Sequence, residues 1–306
     1  MESMMRNALL YLSKNRMANR TAKKYGLRFG AKRFVAGESV SEAIGTVKRL
    51  NEQGIVATLD HLGEFVGTVE EAELSTEACL HTLDEIERSG VRSNLSLKLT
   101  QLGLDLSPEL CLANMRRILD RASAYGNFVR IDMEDYAHNE PAIELFCRLR
   151  ERYGDTVGLV IQAYLYKSEA DLARLSVYAP NLRLVKGAYK EPPEVAYPDK
   201  ADVDRSFIKL IETHLANGHY AAVATHDDNV IEHTIAFAAR NRIPLSQFEF
   251  QMLYGIRPQR QLELASAGYT MRVYVPFGND WYGYFMRRLA ERPANVAFVM
   301  KSMFKS

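Results

Sequence analysis

From residue 54 onward, eight short apolar or β-branched runs alternate with longer stretches of helical periodicity, and this alternation limits the folds open to the chain more than any other feature. The runs cover residues 55–59, 93–97, 128–133, 158–163, 182–186, 221–225, 248–252 and 271–275. Helix signals lie between them. Ser107-Pro108-Glu109 supplies a cap residue and a proline at the first helical position, and Gly90 and Gly218 close two other segments. Strict strand-helix alternation over about 250 residues fits a closed parallel barrel. A doubly wound sheet more often has fewer strands and a glycine-rich first turn, and no GxGxxG follows the first run here. The expected fold is therefore an α/β (β/α)8 TIM barrel over residues 51–306. An amino-terminal helical extension over residues 1–50 precedes it, in which Ser39 or Ser41 caps a helix reaching Gly54.

The balance of residues narrows the function classes. Of 306 residues, 47% are hydrophobic and 25% charged, enough for a sizeable core in one large domain or two small ones. Lys and Arg total 39 against 38 Asp and Glu, so no global field recruits nucleic acid or an anionic membrane. The basic run over 14–33 reads first as a solvated helix face. Cys79, Cys111 and Cys147 are odd in number and widely spaced, which argues against a disulfide framework or a metal site. Neither a signal-type apolar segment nor a run of eighteen apolar residues is present, so the expected compartment is reducing and cytoplasmic.

In a parallel barrel the chemistry gathers at the carboxyl ends of the strands, where a polar residue is more informative than elsewhere. Those ends carry Lys98, Asp132, Gln162, Arg183 with Lys186, Thr225-His226-Asp227, Gln251 and Tyr274. Singly, each has an ordinary explanation: Lys98 and Asp132 as a rim ion pair, His226 as a core histidine satisfied by a backbone carbonyl. Their convergence favours a site. Arg183 and Lys186, followed by Gly187, suit a large anionic or electron-rich cofactor approaching the backbone closely.

After the last run, a helix from Trp281 to Pro293 carries the adjacent arginines Arg287 and Arg288. Successive helical residues are rotated by about 100°, so both serve one site only if the helix lies across the barrel mouth. Arg287 and Glu291 at i, i+4 also fit an ordinary exposed ion pair. Glu64, in the loop after the first run, is either a solvated carboxylate or a partner for one of these arginines.

The segments Ser96-Leu97-Lys98-Leu99, Arg130 to Glu134, Ile161-Gln162-Ala163-Tyr164, Arg183 to Tyr189, Ala224-Thr225-His226-Asp227, Gln251 to Gly255 and the YxxxxRRxxE pattern of Tyr282–Glu291 together resemble the monofunctional bacterial branch of the proline dehydrogenase family. The resemblance implies FAD bound without a Rossmann fold, L-proline as substrate, 1-pyrroline-5-carboxylate as product and a quinone as electron acceptor. It also implies that Arg287 and Arg288 hold the substrate carboxylate, with Lys98, Tyr274 and Leu253 completing the pocket. Met133, Gln162, Arg183, Lys186, Gly187, Ala188, Thr225, His226, Gln251 and Glu291 fall at its flavin positions. Asp132, Arg183 and Lys98 become the catalytic candidates, with Lys98 near Asp132 setting local charge and Glu64 acting as a gate over bound substrate. The chain has no room for the aldehyde dehydrogenase domain of bifunctional relatives, so a separate pyrroline-5-carboxylate dehydrogenase is expected downstream. A lipid-soluble acceptor implies at most a peripheral contact on the inner face of the membrane. Two rivals stand: a Schiff-base aldolase using Lys98 or Lys186, and a non-catalytic scaffold.

Overall fold

In a computed structural model, which describes residues 31–291, eight parallel strands pair in chain order and close into a barrel. Residues 14–30 of the basic run and Pro293 lie outside the described residues. The strands are β1 (Val56–His61), β2 (Ser93–Leu97), β3 (Val129–Ile131), β4 (Val157–Gln162), β5 (Leu182–Val185), β6 (Ala221–Ala224), β7 (Phe248–Leu253) and β8 (Met271–Phe277). Between and around them run helices α1 (Val40–Glu52), α2 (Val69–Ser89), α3 (Pro108–Ala124), α4 (Tyr136–Tyr153), α5 (Ser168–Leu175), α6 (Lys200–Ala216), α7 (Asp228–Arg240), α8 (Pro258–Ser266) and α9 (Trp281–Glu291). The expected TIM barrel is thus observed.

Local chemistry sets the helix ends. Ser39 and Glu42 form a reciprocal capping box at the start of α1, so of the two serines it is Ser39 that caps. Ser107 accepts from the Leu110 amide with Pro108 at the first position of α3, and Gly90 ends α2 in the left-handed conformation. The apolar faces of the helices close over the outer faces of the strands. Ala43, Ile44 and Val47 of α1 belong to this same core, together with Ala57 and Leu59 of β1.

Side chains alternate along each strand, and here the inward set is largely polar. Thr58 and Asp60, Ser96 and Lys98, Arg130 and Asp132, Glu249 and Gln251, and Arg272 and Tyr274 sit two residues apart, all but Arg272 and Tyr274 classed as buried and those two only partly exposed. Most barrels fill this space with branched apolar residues. Toward the amino ends of the strands, Arg272 Nε donates to both Glu249 oxygens at 2.8 and 3.1 Å, and its Nη1 to the Ala57 carbonyl at 2.7 Å. Tyr220 and Gln251 also donate to Glu249. Burial alone would raise the Glu249 carboxyl, but Arg272, followed by Gln251 and Arg130, holds it below its ordinary value. Arg130 donates to the Leu159 and Asn181 carbonyls across the register from Gly158, where a Cβ would lie 2.5 Å from the Asn181 oxygen. Only glycine leaves room there.

Removing Arg272 leaves Glu249 charged and buried, so Arg272→Met is expected to cost about 3–5 kcal/mol in chemical unfolding. The sign of the pH response also inverts. In the native chain the lowered Glu249 pKa contributes stability above the ordinary carboxylate range, and it is lost as pH falls. In the variant burial dominates and raises that pKa, so stability declines as pH rises through neutrality. Unfolding curves at pH 5 and pH 8 that keep the native slope would refute this account of the ion pair.

Candidate active site

At the carboxyl ends of the strands opens a cavity of about 930 Å³, walled by residues that follow β2 to β8 and by α9. Its floor is a connected polar array. Arg183 donates through Nε to Gln251 Oε1 at 2.6 Å, through Nη1 to Asp132 Oδ1 at 2.5 Å and through Nη2 to Ser96 Oγ at 3.0 Å. One guanidinium on β5 thereby ties β7, β3 and β2 together through the barrel interior. Tyr274 Oη lies 2.5 Å from Asp60 Oδ2 and 2.8 Å from Asp132 Oδ2. A phenol has one hydrogen to donate, so two carboxylates share one donor unless one of them is protonated. Burial, followed by the nearby Asp132 charge, pushes Asp60 up, which suits that role despite the opposing pull of Lys98.

Lys98 Nζ stands 3.2 Å from Asp60 Oδ2 and 3.9 Å from Glu64 Oε1. Its nearest carboxylate is therefore Asp60 and not Asp132, which corrects the pairing expected from sequence. The cause is register: β1 continues past residue 59, and Asp60 lies beside Ser96 facing inward, next to Lys98 on the neighbouring strand. Burial alone would depress the Lys98 ammonium, but Asp60, Glu64 and Asp132 outweigh it and raise its pKa.

Above this floor, Arg287 makes a two-pronged pair with Glu64, Nη2 to Oε1 at 2.6 Å and Nη1 to Oε2 at 3.1 Å. Glu64 is thus no solvated loop carboxylate. Arg287 and Arg288 both line the cavity, one on either side of Tyr284, and the Arg288 guanidinium lies 5.1 Å from the centre of the Tyr284 ring. The two directions a helix gives adjacent residues both border the cavity because α9 crosses its mouth. The Glu291 side chain lies outside the described residues.

The remaining expected residues share the same cavity: Met133, Gln162, Lys186, Gly187, Ala188, Thr225, His226, Gln251 and Leu253. Gln162 Nε2 donates to the Glu134 carbonyl at 3.1 Å, while its buried Oε1 accepts nothing from the protein. Lys186 Nζ pairs with Asp227 at 2.8 Å and Asp204 at 2.5 Å. His226 Nε2 accepts from the Leu253 amide at 3.0 Å, a backbone donor, where the ordinary reading of this residue offers a backbone carbonyl. That bond requires the neutral ring with its hydrogen on Nδ1. Gly187 has φ +115°, and a Cβ there would fall 2.2 Å from the Tyr164 ring. The glycine serves internal packing as well as access.

Sequence reasoning missed Asp60, Tyr189, Tyr284 and Arg257. Asp60 carried the same signal as the others, a polar residue at a strand end, but the first strand was ended two residues early, at 59 instead of 61. Tyr284 stands one helical turn before Arg288, a spacing that pairs side chains. Arg257 holds the His226 carbonyl through Nη1 at 2.7 Å from a left-handed backbone with φ 54°.

An amine nucleophile needs a lowered pKa, and both Lys98 and Lys186 are raised by their carboxylates against the effect of burial.

The proline dehydrogenase family model matches residues 43–301. Proline dehydrogenase 1 of Bacillus subtilis subsp. natto is 52% identical over 302 residues, covering 99% of this chain and 100% of its own length. Proline dehydrogenase of Deinococcus radiodurans is 44% identical over 279 residues, 90% of each chain. Among solved structures, proline utilization A from Bdellovibrio bacteriovorus inactivated by N-propargylglycine superimposes with a TM-score of 0.80 at 28% identity, over 85% of this chain. The present chain spans 32% of that larger protein. With the family model matched along most of its length and relatives about half identical from end to end, this chain belongs to the proline dehydrogenase family.

Proposed function

We propose that the protein oxidises L-proline to 1-pyrroline-5-carboxylate, the first step of proline catabolism, using FAD and delivering the electrons to a quinone. The observation that carries this reading is the pair of guanidinium groups, Arg287 and Arg288, facing the Arg183–Asp132–Tyr274–Asp60–Lys98 array across one cavity. Two guanidinium forks suit one small carboxylate, and a carboxylate held there fixes the direction of the ring attached to it.

The residues present fit a flavin. A cavity of about 930 Å³ is near the top of the ordinary range for small-molecule sites, as a large cofactor requires. Gln162 offers a buried acceptor with no protein donor, suited to an imide N–H. Met133, Gln162, Arg183, Lys186, Gly187, Ala188, Thr225, His226 and Gln251 would hold the group. FAD, when bound, supplies the hydride acceptor at N5 and the onward path of electrons to the quinone.

The chain's own groups do the rest. Arg287 and Arg288 bind the carboxylate, while Leu253 and Tyr274 wall the ring. Proline must lose an ammonium proton before its ring carbon can be oxidised. Lys98, kept cationic by its carboxylates, disfavours a second positive charge beside it and so promotes that loss, with water or Asp132 receiving the proton. Arg183 places a fixed positive charge on the cavity floor, where negative charge developing on a reduced cofactor would be stabilised. Glu64 releases Arg287 to the substrate and re-engages it after product leaves, acting as a gate. The product then passes to a separate pyrroline-5-carboxylate dehydrogenase. No helix among the described residues is long and apolar enough to cross a membrane, so access to a lipid-soluble quinone would be peripheral.

Anaerobic addition of proline to the purified yellow protein is expected to bleach the flavin band; a band that persists at millimolar proline would remove the proposal. Arg288→Ala should raise the proline concentration for half-maximal bleaching by about 10- to 100-fold, the loss of one charge-assisted carboxylate contact. A steady-state KM unchanged in that variant would reject the carboxylate assignment.

A further inference from the structure

Helix α9 has two faces with different supports. Tyr284, Arg287 and Arg288 border the cavity, whereas Trp281, Tyr282, Phe285, Met286 and Leu289 belong to a second apolar cluster, separate from the main barrel-helix core, which Tyr284 also joins and against which Leu253 and Tyr274 pack. That cluster is completed by Leu62 after β1, Ile256 after β7, and Ala31, Phe34 and Val35 of the segment preceding α1. Phe34 is 1% exposed, and its ring centre lies 6.2 Å from that of Phe285, three residues before Arg288.

The segment that presents Phe34 is itself fixed to the barrel through backbone. Ala36 N–H donates to the Pro276 carbonyl at 2.9 Å, and Gly278 N–H donates to the Gly37 carbonyl at 3.0 Å. On its other side the Arg33 carbonyl packs so tightly on the β7–α8 turn that a Cβ at Gly255 would lie 1.7 Å from it. Phe34 thus stands on a platform tied to the turns after β7 and β8, and it meets the back of the helix whose front carries the arginines.

We propose that Phe34 is a positioning residue for the substrate carboxylate: it fixes the depth and rotation of α9 and so sets where Arg288 points. This rests on the reading that Arg287 and Arg288 bind that carboxylate. Phe34 touches no reacting group, and its effect passes through the helix. A rotation of α9 about its axis would move Arg287 and Arg288 along the cavity wall while Arg183, Asp132 and Lys98, which lie outside the cluster, keep their places, so binding suffers more than the chemical step.

The test is a double-mutant cycle on the flavin-loaded, full-length protein, reading proline KM and the limiting rate of anaerobic flavin bleaching. Phe34→Ala should raise KM about tenfold, with Phe34→Leu between it and the native chain, because small misplacements of a binding group are costly. The limiting rate should stay within about threefold, since Arg183, Asp132 and Lys98 are not part of that cluster. In a background in which both Arg287→Ala and Arg288→Ala have been made, Phe34→Ala should change KM by less than about twofold, because residues acting through the same contacts are not additive. Effects that multiply across the cycle would show a general structural role and overturn the proposal, as would native KM values in both Phe34 variants. If Phe34→Ala does not fold, the same cycle with Phe34→Leu decides. An Arg288→Ala variant with native KM would instead overturn the arginine assignment, and this inference with it.

Discussion

The interior of this barrel depends on one guanidinium. Arg183 sends its three donor directions to three different strands, reaching Gln251, Asp132 and Ser96. Isolated in a medium of low polarity, any of the carboxylates around it would be protonated or expelled. With Arg183 in place, Asp132 is charge-compensated, Tyr274 is fixed between Asp132 and Asp60, and Lys98 is fixed to Asp60. Each group's position is therefore determined by the next, and none is held by a surface contact. A network linked in this way restrains each of its members, which is what a site needs in order to hold a small substrate in one orientation.

A polar interior is a costly way to fill a barrel, and its distribution shows why it is tolerated. The Glu249–Arg272 pair and Arg130 occupy the level toward the amino ends of the strands, where they find partners among backbone carbonyls and each other. The level above them meets the cavity. Apolar packing against the outer helices, from β1 round to β8, supplies the stability against which this polar column is maintained. Among the described residues the usual glycine-rich turn of nucleotide-binding sheets has no counterpart; polar groups are gathered instead from many strand ends around one cavity.

Much of this was legible in the sequence because each strand end is a local signal. A polar residue after a run of buried ones reports a change of environment, and seven such places fall around one cavity. Asp60 escaped for a reason of one residue: with the first strand ending at 59, it read as loop. A second signal went unused, the i, i+2 spacing of polar residues in Arg130-Ile131-Asp132, Glu249-Phe250-Gln251 and Arg272-Val273-Tyr274, which marks inward faces directly. What sequence could not give is which charge meets which. Lys98 was matched to Asp132 by proximity in role, whereas strand register decides the pairing in favour of Asp60. The orientation of α9 was equally hidden, since adjacent arginines flank a cavity only when a separate apolar cluster carries the helix across its mouth.

The Glu64–Arg287 pair shows how such a cavity can open without a large energy cost. Both side chains are about one-fifth exposed, 18% and 19%, so the pair is neither fully desolvated nor freely solvated. A fully buried pair, once broken, would leave an uncompensated charge worth several kcal/mol, and a fully exposed one would contribute almost nothing and could not hold a loop closed. On the proposed reading, an incoming carboxylate would replace Glu64 on the same fork, one anion for another; in the paired state Glu64 Oε1 also lies 3.9 Å from the Lys98 ammonium. The exchange is near neutral because the charge on Arg287 is compensated before and after it. On that reading specificity would lie in whatever the new carboxylate carries into the cavity, which Tyr274 and Leu253 line together with Arg183.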